Sequence, residues 1–196
     1  MVLMVACGLL LLVGVLCIAV WGGAPVHQPE FNDTAGSGSV ALAARRYIWY
    51  LAVAVASGVG AGLFVAGAGG RLVMRLLAAT AGGAAQGRET EAEEIVGRIS
   101  TGGTVNFIVF AALVFGLATG VLYLLIRRWL PGGRLGGLVY GALLLVVLAT
   151  RLEPLRADNP DFDIVGPGWV AATAFGTLVV MHGMLVAALA ARYSSA

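Results

Sequence analysis

Residues 45–80, RRYIWYLAVAVASGVGAGLFVAGAGGRLVMRLLAAT, decide the fold class. Two arginines and an aromatic cluster lead into Tyr47–Gly70, 24 residues without a charge. At ~1.5 Å per helical residue this run covers ~36 Å, enough to cross a ~30 Å hydrocarbon layer with some tilt. Ala54, Gly58, Gly62, Ala66 and Gly70 recur at every fourth position. That spacing draws one smooth stripe along a helix, against which a second backbone can pack closely. Arg71 and Arg75 then enter the apolar pattern. Mid-membrane arginine costs ~2.5 to 3.5 kcal/mol, so both are expected at or beyond an interface, on an amphipathic exit helix that Gly82 and Gly83 end.

The rest of the chain repeats this pattern. Of its 196 residues 60% are hydrophobic and 11% charged, which places it outside the usual range of water-soluble domains. Val2–Gly22 is a first uncharged run closed by Trp21; it lacks a basic leader and a small-residue cleavage site, and so reads as a retained span rather than a signal peptide. It also lacks a small-residue stripe, and is expected to pack peripherally. Residues 23–44, with Pro25, Pro29 and Gly36-Ser37-Gly38-Ser39, read as a flexible linker.

Thr104–Ile126 forms a third span with Ala112, Gly116 and Gly120 in register. Leu130-Pro131-Gly132-Gly133 turns the chain into a shorter fourth, Leu135–Thr150, with Gly137 and Gly141. Trp169–Ala191 is the fifth, marked by Gly183. The expected fold is an all-α transmembrane bundle, a packed core of four spans over 45–196 plus one peripheral N-terminal helix. Two polar connectors, 71–103 and 151–167, lie at one end. In the first, Thr90 and Glu93 read as a capping box opening a short helix, and Gly102-Gly103 as a change of direction.

Five spans put the chain ends on opposite sides, with six arginines on each face. The acids, concentrated with Arg71 and Arg75, and the acid-free hairpin Arg127–Arg134 favour N-terminus out and C-terminus in; the Pro/Asn-rich linker argues the reverse.

Candidate sites are few. His182 is the one histidine within a span. Alone it cannot make a bis-histidine haem site, and a hydrogen bond to a neighbouring helix is favoured over a proton relay or a metal-ligand role. Asp158, Asp161 and Asp163 could offer oxygens to Ca²⁺ or Mg²⁺, but they lack the EF-hand order and Pro160 stiffens the turn, which favours solvated acids near a helix start. Arg71 or Arg75 is expected to pair with Glu153 or one of these aspartates, with lipid phosphate as the alternative partner. No catalytic motif, nucleotide-binding loop or cofactor signature is present, and a net charge of +2 without basic runs sets nucleic acid aside.

GGRLVMRLLA (69–78), EAEEIVGRIS (91–100), RWLPGGRLGG (128–137) and LRADNPDFDIVGPGW (155–169) together resemble a group of small multi-span membrane proteins of high-GC actinobacteria that carry no assigned activity. The resemblance covers about Arg46–Arg192. It implies a bacterial inner-membrane location and supplies no catalytic residue. The leading functional expectation is therefore a non-enzymatic membrane bundle that binds lipid, another membrane protein or a second copy of itself. A transporter or channel subunit comes second and an intramembrane enzyme third.

Overall fold

The computed structural model describes residues 1–27, 40–90, 95–149, 155, 161, 164–165 and 168–195. Among the described residues the protein is all-helical, and four of the helices are long and apolar enough to cross a membrane: α1 (Val2–Trp21), α2 (Val40–Thr80), α3 (Thr101–Trp129) and α5 (Gly168–Ser194). Between the last two lies the shorter α4 (Gly133–Leu144), prolonged by a π-helical segment, Leu145–Ala149.

Several boundaries differ from those read in the sequence. Helix α2 begins at Val40, so the last five residues assigned to the linker, 40–44, are its first turn and more. Its Arg71–Thr80 part is continuous with the rest of the helix rather than a separate exit helix. At its end Gly82 takes φ +59°, a left-handed conformation that glycine adopts without steric cost. Gly102 and Gly103 do not redirect the chain: Ser100 caps α3, its hydroxyl accepting from the Gly103 amide at 3.1 Å, so both glycines sit in the first helical turn.

The capping-box helix expected from Thr90 is also absent around Ile95, while Glu93 lies outside the described residues. Ile95 instead bridges Glu89 in antiparallel fashion, and Val96 donates to the Arg88 carbonyl at 2.9 Å. Gly87 and Gly97, both at positive φ, flank this turn and stop a helix from propagating.

The fourfold glycine stripes are the contacts that define the bundle. A Cβ built on Gly62 would lie 2.6 Å from the Ala111 carbonyl oxygen and 2.7 Å from the Ala112 Cα. One on Gly116 would meet the Gly58 carbonyl at 2.5 Å, and one on Gly120 the Gly58 Cα at 3.0 Å. Helices α2 and α3 therefore touch backbone to backbone. The same holds for α4 and α5, where a Cβ on Gly183 would stand 2.5 Å from the Gly141 nitrogen, one on Gly141 2.8 Å from the Val180 Cα, and one on Gly137 3.0 Å from the Met184 Cα. The bundle is thus two glycine-zipped hairpins, α2–α3 and α4–α5, joined mainly by α2 against α5.

Helix α1 lies on the outside of this body, against α2 and α5, with Cys7 and Gly14 buried and most of its other side chains outward. Gly14 is its close-contact point, because a Cβ there would press on Phe64, Val65 and Leu185 at 3.2 to 3.3 Å. The peripheral position expected from its missing stripe is what the structure shows.

Two backbones depart from α geometry in mid-helix. Gly62–Gly67 of α2 and Ala111–Phe115 of α3 are π-helical, and they pack against each other. In these segments the Ala68 amide bonds to the Leu63 carbonyl and the Gly116 amide to the Ala111 carbonyl, five residues back instead of four.

Candidate functional site

Three polar features stand out: a buried cluster at mid-bundle and one arrangement at each end. The buried cluster is built around His182 of α5, which is fully enclosed. Its Nε2 lies 2.7 Å from Thr119 Oγ1 of α3, also fully buried, and its ring centroid 4.8 Å from that of Phe115. Thr119 is a node. Its hydroxyl reaches the carbonyls of Phe115 at 2.9 Å and Gly116 at 3.1 Å, and its own carbonyl accepts from the Tyr140 hydroxyl of α4. Tyr140 stacks edge-on with Tyr123 at 5.1 Å. Both side-chain bonds thus run from the α4–α5 hairpin to one residue of the α2–α3 hairpin. Ser57 of α2, buried nearby in the core, is satisfied by its own helix, through the carbonyls of Val53 and Ala54. The helix-to-helix bond expected of His182 is therefore present, but Nδ1 has no hydrogen-bond partner.

At one end of the bundle Arg71 is 9% exposed. Its Nη2 donates to Thr104 Oγ1 at 3.0 Å, its Nη1 approaches the Met74 sulfur at 3.8 Å, and its guanidinium sits 5.8 Å from the Phe107 centroid. Burial is tolerated because the side chain gains both a hydrogen-bond acceptor and an aromatic face from the start of α3. Arg75, one turn further, is exposed and donates to the Gly97 carbonyl at 3.1 Å. The partners the structure gives these two arginines are thus on α3 and the first connector. Of the acids expected to pair with them, Glu153, Asp158 and Asp163 lie outside the described residues. Asp161 is described: its carbonyl accepts from the Ile164 and Val165 amides at 3.0 and 2.8 Å, closing a turn. Among the described residues no group of three or more His, Cys, Asp or Glu is placed to hold a metal.

The first connector folds onto this end as a cap. Gln86 donates to the Ala78 carbonyl at 2.7 Å and the Gly87 amide to the Val96 carbonyl at 3.1 Å. Ala78, Ala85 and Val96 form a small core of their own, with Ala81, Ile164 and Val165 against it. Residues from both polar connectors therefore share one packed unit.

The opposite end gathers arginine and aromatic side chains. Arg134 donates to the Ala19 carbonyl at 2.9 Å, covering the C-terminus of α1. Arg192 sits over Trp21, Arg127 over Tyr50 and Arg128 over Trp129, at 5.8, 4.4 and 4.0 Å to the ring centroids. The His27 amide donates to Ser194 Oγ at 2.9 Å.

Sequence reasoning singled out His182 and Arg71 but missed Thr119, Tyr140, Thr104 and Phe107. The available signal was that Thr119 and Thr104 are hydroxyl-bearing residues in an apolar run, which need an acceptor within their own helix or next door. No protein-family model, curated protein or solved structure matches the chain.

Proposed function

We propose that this chain is a multi-pass integral protein of a bacterial plasma membrane, with α1 to α5 as five spans, and that it acts by binding a partner membrane protein or lipid through its capped end. Membrane placement draws support from the four long apolar helices and from the apolar side chains they turn outward, among them Leu9, Leu16, Leu113 and Val114. Helix α4 with its π-helical extension runs ~25 Å, a length that Arg134 at its start can complete by reaching to a headgroup layer. The resemblance of four stretches to small actinobacterial membrane proteins supports the bacterial inner membrane.

The observation that carries the binding role is the cap itself. A slack connector would bury nothing, whereas this one is folded around Ala85 and Val96 and held by Gln86 and Arg75. A preorganised surface lowers the ordering cost of recognition by a partner. Affinity purification from native membrane tests the reading, with wild type compared with Val96→Asp, which breaks the cap core without touching the glycine contacts. Proteins or lipids recovered with wild type and lost with the variant support it. Recovery that is identical for both removes the cap from the binding surface.

A second reading, a small transporter or channel subunit, draws on one observation: π-helical breaks in α2 and α3 beside a buried histidine, a combination that suits helices which change packing.

A further inference from the structure

The end of the bundle away from the cap carries positive charge that no acidic side chain on its helices balances. Arg45 and Arg46 stand near the start of α2, Arg127 and Arg128 at the end of α3, Arg134 at the start of α4 and Arg192 at the end of α5. No Asp or Glu occurs in 1–29, 40–88, 95–150 or 164–196, so the helices that bring these arginines together bring no carboxylate side chain with them. Three of the guanidinium groups are held by rings instead: Arg127 over Tyr50, Arg128 over Trp129 and Arg192 over Trp21. A ring takes the face of a guanidinium and leaves the N–H donors on its edge. Among the described residues no acceptor reaches the edge donors of these three.

Two of these charges flank one ring. Arg46, Tyr50 and Ala54 follow one another at fourfold spacing on α2, and Ala54 meets Gly120 of α3 backbone to backbone. Arg46 therefore stands one helical turn beyond Tyr50, on the side of α2 that faces α3, next to the ring that Arg127 covers at 4.4 Å. Like charges so placed repel, and an anion with several oxygens relieves the repulsion by accepting from both guanidinium edges at once. The surroundings say where such an anion comes from. Trp49 meets Tyr50 edge-on at 5.0 Å, and the Trp129 ring, stacked on Arg128 at 4.0 Å, is 66% exposed. Tyrosine and tryptophan gathered at helix ends mark the headgroup level of a bilayer, where the abundant oxyanion is lipid phosphate.

We propose that Arg46 and Arg127, with Tyr50 between them, bind the phosphate of an anionic phospholipid at the end of the α2–α3 hairpin, with Arg128 and Trp129 at the edge of the site. The stack on Tyr50 holds the Arg127 plane before the lipid arrives and so lowers the ordering cost of binding. The inference rests on the placement of the chain in a membrane and goes beyond partner binding at the cap, which lies at the other end.

The test is native mass spectrometry of the full chain released from vesicles of equimolar phosphatidylcholine and phosphatidylglycerol. The expected spectrum shows phosphatidylglycerol retained in preference to phosphatidylcholine. Arg46→Gln and Arg127→Gln should each lower that preference about fivefold, the weight of one arginine beside a charged leaflet. Arg98→Gln, exposed at the capped end, should leave it unchanged, and added inorganic phosphate should not displace the lipid. Equal retention of the two lipids, displacement by inorganic phosphate, or a loss in Arg98→Gln as large as in Arg46→Gln each overturns the proposal. Arg46 is exposed, so its variant decides the matter even if Arg127→Gln fails to fold. A chain that does not enter the vesicles at all overturns the membrane placement and this site with it, whereas insertion without lipid preference overturns this site alone.

Discussion

Gly58 of α2 and Gly116 of α3 face each other so closely that a methyl on Gly116 would stand 2.5 Å from the Gly58 carbonyl oxygen. The atom in the way is backbone, which cannot swing aside as a side chain can. Leucine at Gly58, Gly62 or Gly116 must therefore part α2 from α3, at a cost of about 1 to 3 kcal/mol or more. Val121→Leu on the exposed side of α3 is the control, expected within about 0.5 kcal/mol of wild type. Thermal unfolding in detergent reads the difference, and equal melting of all four variants would show that the glycine contacts carry no stability.

The α4–α5 pair makes the same prediction by the same geometry. Gly183→Leu drives a side chain into the Gly141 backbone and should rank with Gly58→Leu, whereas Gly176→Ala, whose Cβ would find only Leu145 side-chain atoms at 3.6 and 3.9 Å, should be neutral. A Gly176→Ala variant as unstable as Gly183→Leu would show that this ranking by backbone contact is wrong.

At the Thr119 node, Tyr140→Phe and Thr119→Val are expected to differ. Tyr140→Phe removes one donor from a carbonyl that is part of a helix, and should cost about 0.6 kcal/mol, as buried bonds between membrane helices do on average. Thr119→Val leaves His182 Nε2 enclosed without its hydrogen-bond partner, and should cost about 1 to 3 kcal/mol. Equilibrium unfolding of both variants checks the order, and a Tyr140→Phe loss larger than that of Thr119→Val would place the node elsewhere.

These contacts also show what the sequence could and could not carry. Gly58, Gly62, Gly116, Gly120, Gly137, Gly141 and Gly183 were legible because a fourfold repeat of small residues has one structural use, close helix approach. Which stripe meets which was less so: only the short Leu130–Gly133 turn fixed a neighbour in advance. The π-helical segments leave no trace in composition, since Gly62–Gly67 and Ala111–Phe115 read like any apolar helix; their cause lies in packing one against the other. Gly102 and Gly103 were misread as a turn because propensity was weighed without the Ser100 cap that starts the helix ahead of them. The partners of Arg71 on α3 were not legible either. Thr104 and Phe107, which receive it, lie more than thirty positions away in the chain.

Topology follows from the two bundle ends. Arg134 and Arg192 contact the C-terminal end of α1 and Arg127 sits over Tyr50 of α2, while the Arg71 cap lies at the other end of the helices. With the arginine hairpin cytoplasmic, single cysteines beside Arg127 and Arg192 in a background lacking Cys7 and Cys17 should resist a membrane-impermeant thiol reagent in intact spheroplasts. A cysteine at Arg88 in the cap should react. Labelling at Ser195 with protection at Arg88 would mean the opposite orientation.

The last prediction separates the two arginines of the capped end. Arg71 is enclosed and donates a charge-assisted bond to Thr104, while Arg75 is exposed and, among the described residues, donates to a backbone carbonyl. Arg71→Ala should cost about 1.5 to 3 kcal/mol and Arg75→Ala no more than about 0.5 kcal/mol. Because Thr104 also donates to the Ser100 carbonyl at 2.9 Å, its hydroxyl stays satisfied when Arg71 is gone, and a double-mutant cycle of Arg71→Ala with Thr104→Val isolates the pair. The expected coupling is about 0.5 to 1.5 kcal/mol. Cycles of Arg71 with Glu153, Asp158 and Asp163 belong in the same assay, since ion pairing with that acidic connector is the rival account of why an arginine sits here. A guanidinium already engaged by Thr104, Met74 and Phe107 has less to give to an acid, so each of those couplings should fall below the one with Thr104. A carboxylate whose coupling to Arg71 equals or exceeds that of Thr104 would make the acidic connector, rather than the start of α3, the partner that holds this charge.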